Sequence, residues 1–211
     1  VLGYGSCRGI DIERFDKTSE VMERAVQLRK DGICTFITVG RLVGDKGINE
    51  LVEAFVKLNR ENNDTRLILV GCYEDNLDPL RMETYKLIDS CDAIEYVGQQ
   101  NDVRPWFAAS DVAVLASYRE GFPNVVIEAG AMGLPQIVTD INGAREIIIE
   151  GENGIIVPSK SVGALYNSMK RMLNTDYRNF LAENARKLIM SRYEQGYVCQ
   201  CLYDFYEEIL D

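Results

Sequence analysis

Six short apolar runs constrain this chain more than any other feature: residues 35–39 (TFITV), 67–70 (LILV), 94–97 (IEYV), 111–116 (DVAVLA), 136–139 (QIVT) and 155–157 (IIV). Each is bounded by glycine, proline or polar residues, and segments of helical periodicity separate them. Runs this short and this continuously apolar read as strands covered on both faces. Strands alternating with helices make an α/β fold, a Rossmann-like doubly wound parallel sheet of about six strands with helices on both faces. Right-handed crossovers then put the loops after the first and fourth strands on one edge. In open α/β sheets, ligands bind at the carboxyl edge of the strands.

The loop after the fourth run, within residues 117–147, holds Glu120-Gly121-Phe122-Pro123-Asn124 and then an apolar helix carrying Glu128. Pro123 suits the first helical position, where its fixed φ fits and its missing N–H has no intrahelical partner to lose. The amides of Asn124, Val125 and Val126 would then be unpaired donors at the positive end of a helix, which suits a phosphate. Two carboxylates beside a phosphate are unfavourable unless they face something else, and carboxylates accept well from sugar or ribose hydroxyls. The combination points to a nucleotide sugar. Taken alone, Glu120 and Glu128 read as a solvated loop residue and a surface helix residue.

The loop after the first run, residues 40–47 (GRLVGDKG), is glycine-rich and carries Arg41 and Lys46 before a helix with Leu51, Ala54, Phe55 and Leu58 at helical spacing. It has no Gly-Lys-Ser/Thr and is not a Walker loop. Arg41 and Lys46 can reach a diphosphate through charge-assisted hydrogen bonds. Gly3, Gly5 and Gly9 mimic a dinucleotide loop, but their spacing is wrong and no strand precedes them. Further helices are expected over 20–30, 79–90, 161–173, 177–190 and 196–210, and Asp102 is expected to cap a short helix through Trp106. The last helix repeats Val198, Leu202, Phe205, Tyr206 and Ile209 at i, i+3, i+4 spacing, so one of its faces requires cover.

Composition removes several chemistries. With 23 Lys and Arg against 33 Asp and Glu, the net charge is −10, which argues against nucleic-acid binding and leaves any anion to local donors. Histidine is absent, so Ser-His-Asp and Cys-His sites cannot be built, nor a histidine-ligated metal. No Asp-x-Asp pair occurs either, and no metal or other cofactor is expected. The six cysteines lack C-x-x-C spacing and several sit in apolar strand-like segments, so free thiols and a cytoplasmic location are expected. No apolar stretch reaches transmembrane length and no signal peptide is read. At 211 residues, without repeats or low-complexity tracts, the chain is expected to form a single domain over 1–211.

The segment EGFPNVVIEAGAMGLPQIVTD resembles the signature of the retaining GT-B glycosyltransferases of the glycogen-synthase-like "group 1" family (family 4 type). The Gly-Arg and following Lys of residues 40–46 match the family again, and the resemblance runs from about Gly3 to the last helix. It implies the carboxy-terminal donor-binding half of a two-domain enzyme, with the amino-terminal acceptor domain outside this chain. It casts Arg41 and Lys46 on the donor phosphates and Glu120 on the sugar as the catalytic set. Donor contacts are implied for Glu128 on the ribose and for Gly40, Gly121, Phe122 and Pro123. Asn124, Val125 and Val126 are implied beside the phosphates, and the Val97 backbone beside the base. Arg8 stands where the family usually has Asn, and its role is open.

The function implied is transfer of a sugar from a nucleotide diphosphate to an acceptor hydroxyl with retention, in polysaccharide or glycoconjugate synthesis. The fragment alone is expected to be inactive. The partners implied are the nucleotide sugar, the absent acceptor domain and, through that domain, peripheral membrane association. A noncatalytic nucleotide-sugar sensor would use the same fold without transfer, and a sugar-nucleotide epimerase is weaker because no histidine is present.

Overall fold

The computed structural model describes residues 3–6 and 8–210, so Cys7 lies outside the described residues. Six strands form one parallel sheet: β1 (Cys34–Val39), β2 (Thr65–Val70), β3 (Ile94–Gly98), β4 (Val112–Leu115), β5 (Gln136–Thr139) and β6 (Gly154–Val157). Their spatial order is β3-β2-β1-β4-β5-β6, the doubly wound arrangement expected from the apolar runs. The order reverses between β1 and β4, which pair directly, Phe36 with Val112 and Ile37 with Ala113.

Alternation along the strands feeds two cores. Phe36, Leu67 and Leu69 point to one face, where α2 (Ile48–Glu61), α3 (Met82–Ser90) and α7 (Val162–Met172) cover them with Leu51, Phe55, Ile88 and Met169. Ile37, Ile68 and Val70 point to the other. There α1 (Ser19–Leu28), α4 (Arg104–Ala108) and α5 (Asn124–Ala131) supply Val21, Trp106, Phe107 and Ala129. A third cluster joins α5, α6 (Ala144–Ile147) and α8 (Thr175–Tyr193) around Ile127, Ile147, Ile189 and Tyr193. Phe36, Phe55 and Phe107 are fully buried, and each such side chain contributes about 1.5–3 kcal/mol.

Local signals start several helices where the residues predict. Thr18, Ser161 and Asn174 accept the amides of Val21, Ala164 and Tyr177 and so cap α1, α7 and α8. Two starts differ. The third helix begins at Met82 rather than Pro79, because Asn49 of α2 takes the Arg81 amide at 2.9 Å and the Thr84 hydroxyl at 2.7 Å. The fourth begins one residue later than a cap at Asp102 implies, yet the Asp102 carboxylate does accept the Arg104 amide at 3.1 Å while also holding the Arg104 side chain at 2.8 Å. The final helix, α9 (Gln195–Leu210), buries Val198 but leaves Tyr203, Tyr206, Ile209 and Leu210 exposed. Among the described residues, no helix is long and apolar enough to cross a membrane.

The turn Gly44–Lys46 and the first residues of α2 press against the end of β4. Gly47 has φ +67°, and a Cβ there would lie 2.0 Å from the Ala116 carbonyl oxygen. Gly47→Ala is expected to destabilise the fold by about 2–4 kcal/mol through backbone strain and overlap together, read from urea unfolding.

Candidate functional site

The loops leaving β1 and β4 meet because these strands are neighbours. The Asp45 carbonyl accepts the Tyr118 amide at 2.8 Å, and the Asp45 amide is itself held by Asp78 at 2.5 Å. Ser117 is anchored from the next strand, where the Thr139 hydroxyl donates to its carbonyl. Tyr118 places its hydroxyl on Glu50 at 2.7 Å, while Arg81 holds the other oxygen of that buried carboxylate at 2.9 Å and the Lys160 ammonium lies 4.6 Å from the Tyr118 ring centroid. Burial, with Glu50 beside it, pushes the Tyr118 phenol up to about 12. Both loops are therefore fixed before any ligand arrives.

Between them lies a cavity of about 350 Å³, walled by Arg41 and Lys46 on one side and by Glu120, Phe122 and Pro123 on the other. Lys46 Nζ donates to Glu120 at 2.6 Å, and neither side chain is more than about a fifth exposed (21% and 17%). An ammonium has three donors, so two remain. Gly40, Asn124 and Val125 also line the cavity.

The amino end of α5 differs in detail from the expectation. Pro123 precedes the helix rather than opening it, because its ψ of 100° is extended. The Val126 amide bonds to the Pro123 carbonyl at 3.0 Å and its side chain is buried, so Val126 offers nothing to a ligand. Among the described residues, the amides of Asn124 and Val125 have no backbone acceptor. Gly121 is exposed and does not line the cavity; its carbonyl lies against Gly143, where a Cβ would sit 2.4 Å away.

A second cavity, about 320 Å³, shares Val39, Gly40 and Arg41 with the first and extends to Cys72, Glu74, Gln99, Gln100 and Val103. Val97 stands outside it, and its carbonyl already accepts Gln100 Nε2 at 2.6 Å. Apart from Arg41, the polar side chains of this cavity were not singled out by sequence reasoning, since a glutamate, glutamines and a cysteine after a strand carry no motif. Arg41 donates to Glu74 at 2.8 Å.

Glu128 lines a third cavity, about 360 Å³, with Arg8, Arg14 and Gln195. Asn124 borders both this cavity and the one holding Glu120. The two glutamates thus occupy adjoining hollows rather than one. Burial lifts the Glu128 carboxyl above its ordinary value, opposed by the nearby Arg14 and Arg8. A larger hollow, about 750 Å³, opens at the amino ends of the strands beside Cys34, Asp111 and Arg178. Its two arginines are already engaged: Arg29 pairs with Asp111 at 3.2 Å and Arg178 donates to the Met172 carbonyl, while burial pushes the Cys34 thiol up to about 11. The edge at β1 and β4 is the better candidate because donors there remain unspent.

Comparison with known proteins bears on the family and the fold. The model of the family "Glycosyl transferases group 1" matches residues 22–188. This chain belongs to that family. It is 27% identical over 211 residues to the capsular polysaccharide biosynthesis glycosyltransferase CapM of Staphylococcus aureus, covering all of this chain and 55% of that protein. Among solved structures, Anabaena HepE in complex with UDP and glucose superposes with a TM-score of 0.83 at 21% identity, covering 95% of this chain and 55% of HepE. The carboxy-terminal domain of the group 1 protein LpcC from Francisella tularensis gives 0.77 at 24%, covering 88% and 99% respectively. The chain spans about half the length of the relative CapM. The fold is that of the GT-B glycosyltransferases, and relatives such as CapM are glycosyltransferases of polysaccharide biosynthesis.

Glu128 generates a pH dependence. A carboxyl whose folded value is raised binds its proton more tightly when folded, so stability is lost as pH rises from the ordinary carboxylate range through the raised value. Glu128→Gln removes the buried charge. Its urea midpoint is expected to match the wild type at a pH below the ordinary glutamate value and to exceed it at pH 7.5.

Proposed function

We propose that this chain is the carboxy-terminal donor-binding domain of a retaining two-domain glycosyltransferase, which moves a sugar from a nucleotide diphosphate to an acceptor hydroxyl in polysaccharide or glycoconjugate synthesis. The observation that carries this reading is the cavity at the β1–β4 edge, where Arg41, Lys46, Glu120 and the free amides of Asn124 and Val125 converge. A diphosphate leaving group develops negative charge as the anomeric bond breaks. Lys46 and a helix amino terminus fixed beforehand stabilise that charge without reorganising, and Arg41 stands at the edge of the same cavity. Glu120, held by Lys46, accepts from sugar hydroxyls and supports positive charge near the ring, and Glu128 takes ribose hydroxyls from the adjoining cavity.

The extent of the match supports the domain reading: the chain has the span of the LpcC carboxy-terminal domain and about half the span of CapM. The acceptor and its binding half would then come from the remainder of the protein, which is also the part that would meet a membrane surface. HepE bound to UDP and glucose makes a uridine diphosphate sugar the first donor to test. Five described cysteines are free thiols, in keeping with a reducing cytoplasm. The sensor reading has no observation of its own in its favour.

In the full-length enzyme, Lys46→Ala is expected to lower kcat/KM by about 10²–10³-fold, and Glu128→Ala to weaken donor use, both with the protein still folded at the assay temperature. Product assays with saturating acceptor measure this. Full turnover in either variant would remove that residue from the site. Calorimetric titration with UDP, GDP and ADP identifies the base.

A further inference from the structure

Arg41 and Glu74 lie together because the loops after β1 and β2 prolong the sheet by one step. The Leu42 amide donates to the Cys72 carbonyl at 2.8 Å, and Leu42 bridges to Tyr73. Glycines make this approach: a Cβ on Gly71 would lie 1.7 Å from the Gly40 carbonyl oxygen. Beyond it the Glu74 carbonyl accepts the amides of Leu77 at 3.0 Å and Asp78 at 3.3 Å, so Glu74 opens a defined turn. Arg41 faces both the 350 Å³ and the 320 Å³ cavities, whereas Glu74 faces the second. The guanidinium stands at their junction.

Each cation around this junction already has a carboxylate. Arg41 meets Glu74 at 2.8 Å, Lys46 meets Glu120 at 2.6 Å, and Arg119 reaches Asp45 at 3.5 Å. The charges cancel locally within a chain whose net charge is −10. A diphosphate therefore meets no surplus of positive charge and gains the guanidinium by drawing it off Glu74. Lys46 and Glu120 both have work on the proposed donor. Among the described residues, Arg41 is the sole partner of the Glu74 side chain.

We propose that Glu74 is an exchangeable counter-ion of Arg41, displaced by the donor diphosphate, whose negative charge limits the grip on the nucleotide diphosphate so that it leaves after transfer. This rests on the reading of the cavity as a nucleotide-diphosphate site. Product release limits turnover in many enzymes, and a grip on the product that is too tight slows it. The pair is half exposed on the Arg41 side, so screening keeps the effect modest.

The test is calorimetry on the 211-residue chain with whichever of UDP, GDP and ADP binds most tightly, together with its nucleoside. Glu74→Gln keeps a hydrogen-bond acceptor for Arg41 and deletes the charge. It is expected to tighten the diphosphate by about fivefold and leave the nucleoside unchanged, and the gain is expected to vanish in the Arg41→Gln background. Unchanged or weaker diphosphate binding in Glu74→Gln overturns the proposal, as does an equal gain for the nucleoside or a gain that survives Arg41→Gln. If the wild type binds none of the three diphosphates, the donor-site reading itself falls and the counter-ion role with it.

Discussion

The parallel pairing of β1 with β4 is the constraint on which the site depends. Strand order reverses there, so the helices that follow the two strands pass to opposite faces and leave a crevice between the loops. Without that adjacency, Lys46 and Glu120 would belong to unrelated parts of the surface. With it, they form a 2.6 Å ion pair across a cavity, and backbone bonds from Asp45 to Tyr118 hold the loops in register. Gly47, packed on the Ala116 carbonyl, is the point where a side chain would pry them apart.

The second theme is how an acidic protein prepares a place for an anion. It does so with local pairing rather than a basic surface. Arg41 and Lys46 are paired with and oriented by Glu74 and Glu120, and two amides at the start of α5 are left without backbone acceptors. Beneath them Arg81, from the surface, and Tyr118 both bond the buried Glu50 and satisfy a carboxylate that would otherwise be costly to enclose. Fixed dipoles and partnered charges are the preorganised kind of environment that stabilises developing charge.

Much of this was legible in the chain. The six apolar runs fall on the six strands: five are buried nearly throughout, which demands β-branched and aliphatic residues, while the edge strand β3 tolerates Glu95 and an exposed Tyr96. Arg41, Lys46, Glu120 and Asn124 were legible because each lies within a few residues of a strand end or a Gly-Pro turn, where local chemistry is visible. Asp102 was legible in part: its carboxylate accepts the first amide of the helix, but it also holds the Arg104 guanidinium, and spacing does not show that one carboxylate does both. The start of α3 was hidden for a related reason, since Asn49, more than thirty residues earlier, supplies its acceptor.

By itself the sequence determined the fold class, the edge of the sheet that carries the loops and the chemical character of those loops, since all three follow from periodicity and from residues close in the chain. Tertiary structure alone decided which side chains share a hollow. It put Glu74 on Arg41, Gln99 and Gln100 along the neighbouring wall, and Glu128 in a cavity beside Glu120 rather than with it. These are contacts between loops of different strands, and their geometry depends on strand order and on glycine-permitted backbone approaches, which no local pattern encodes.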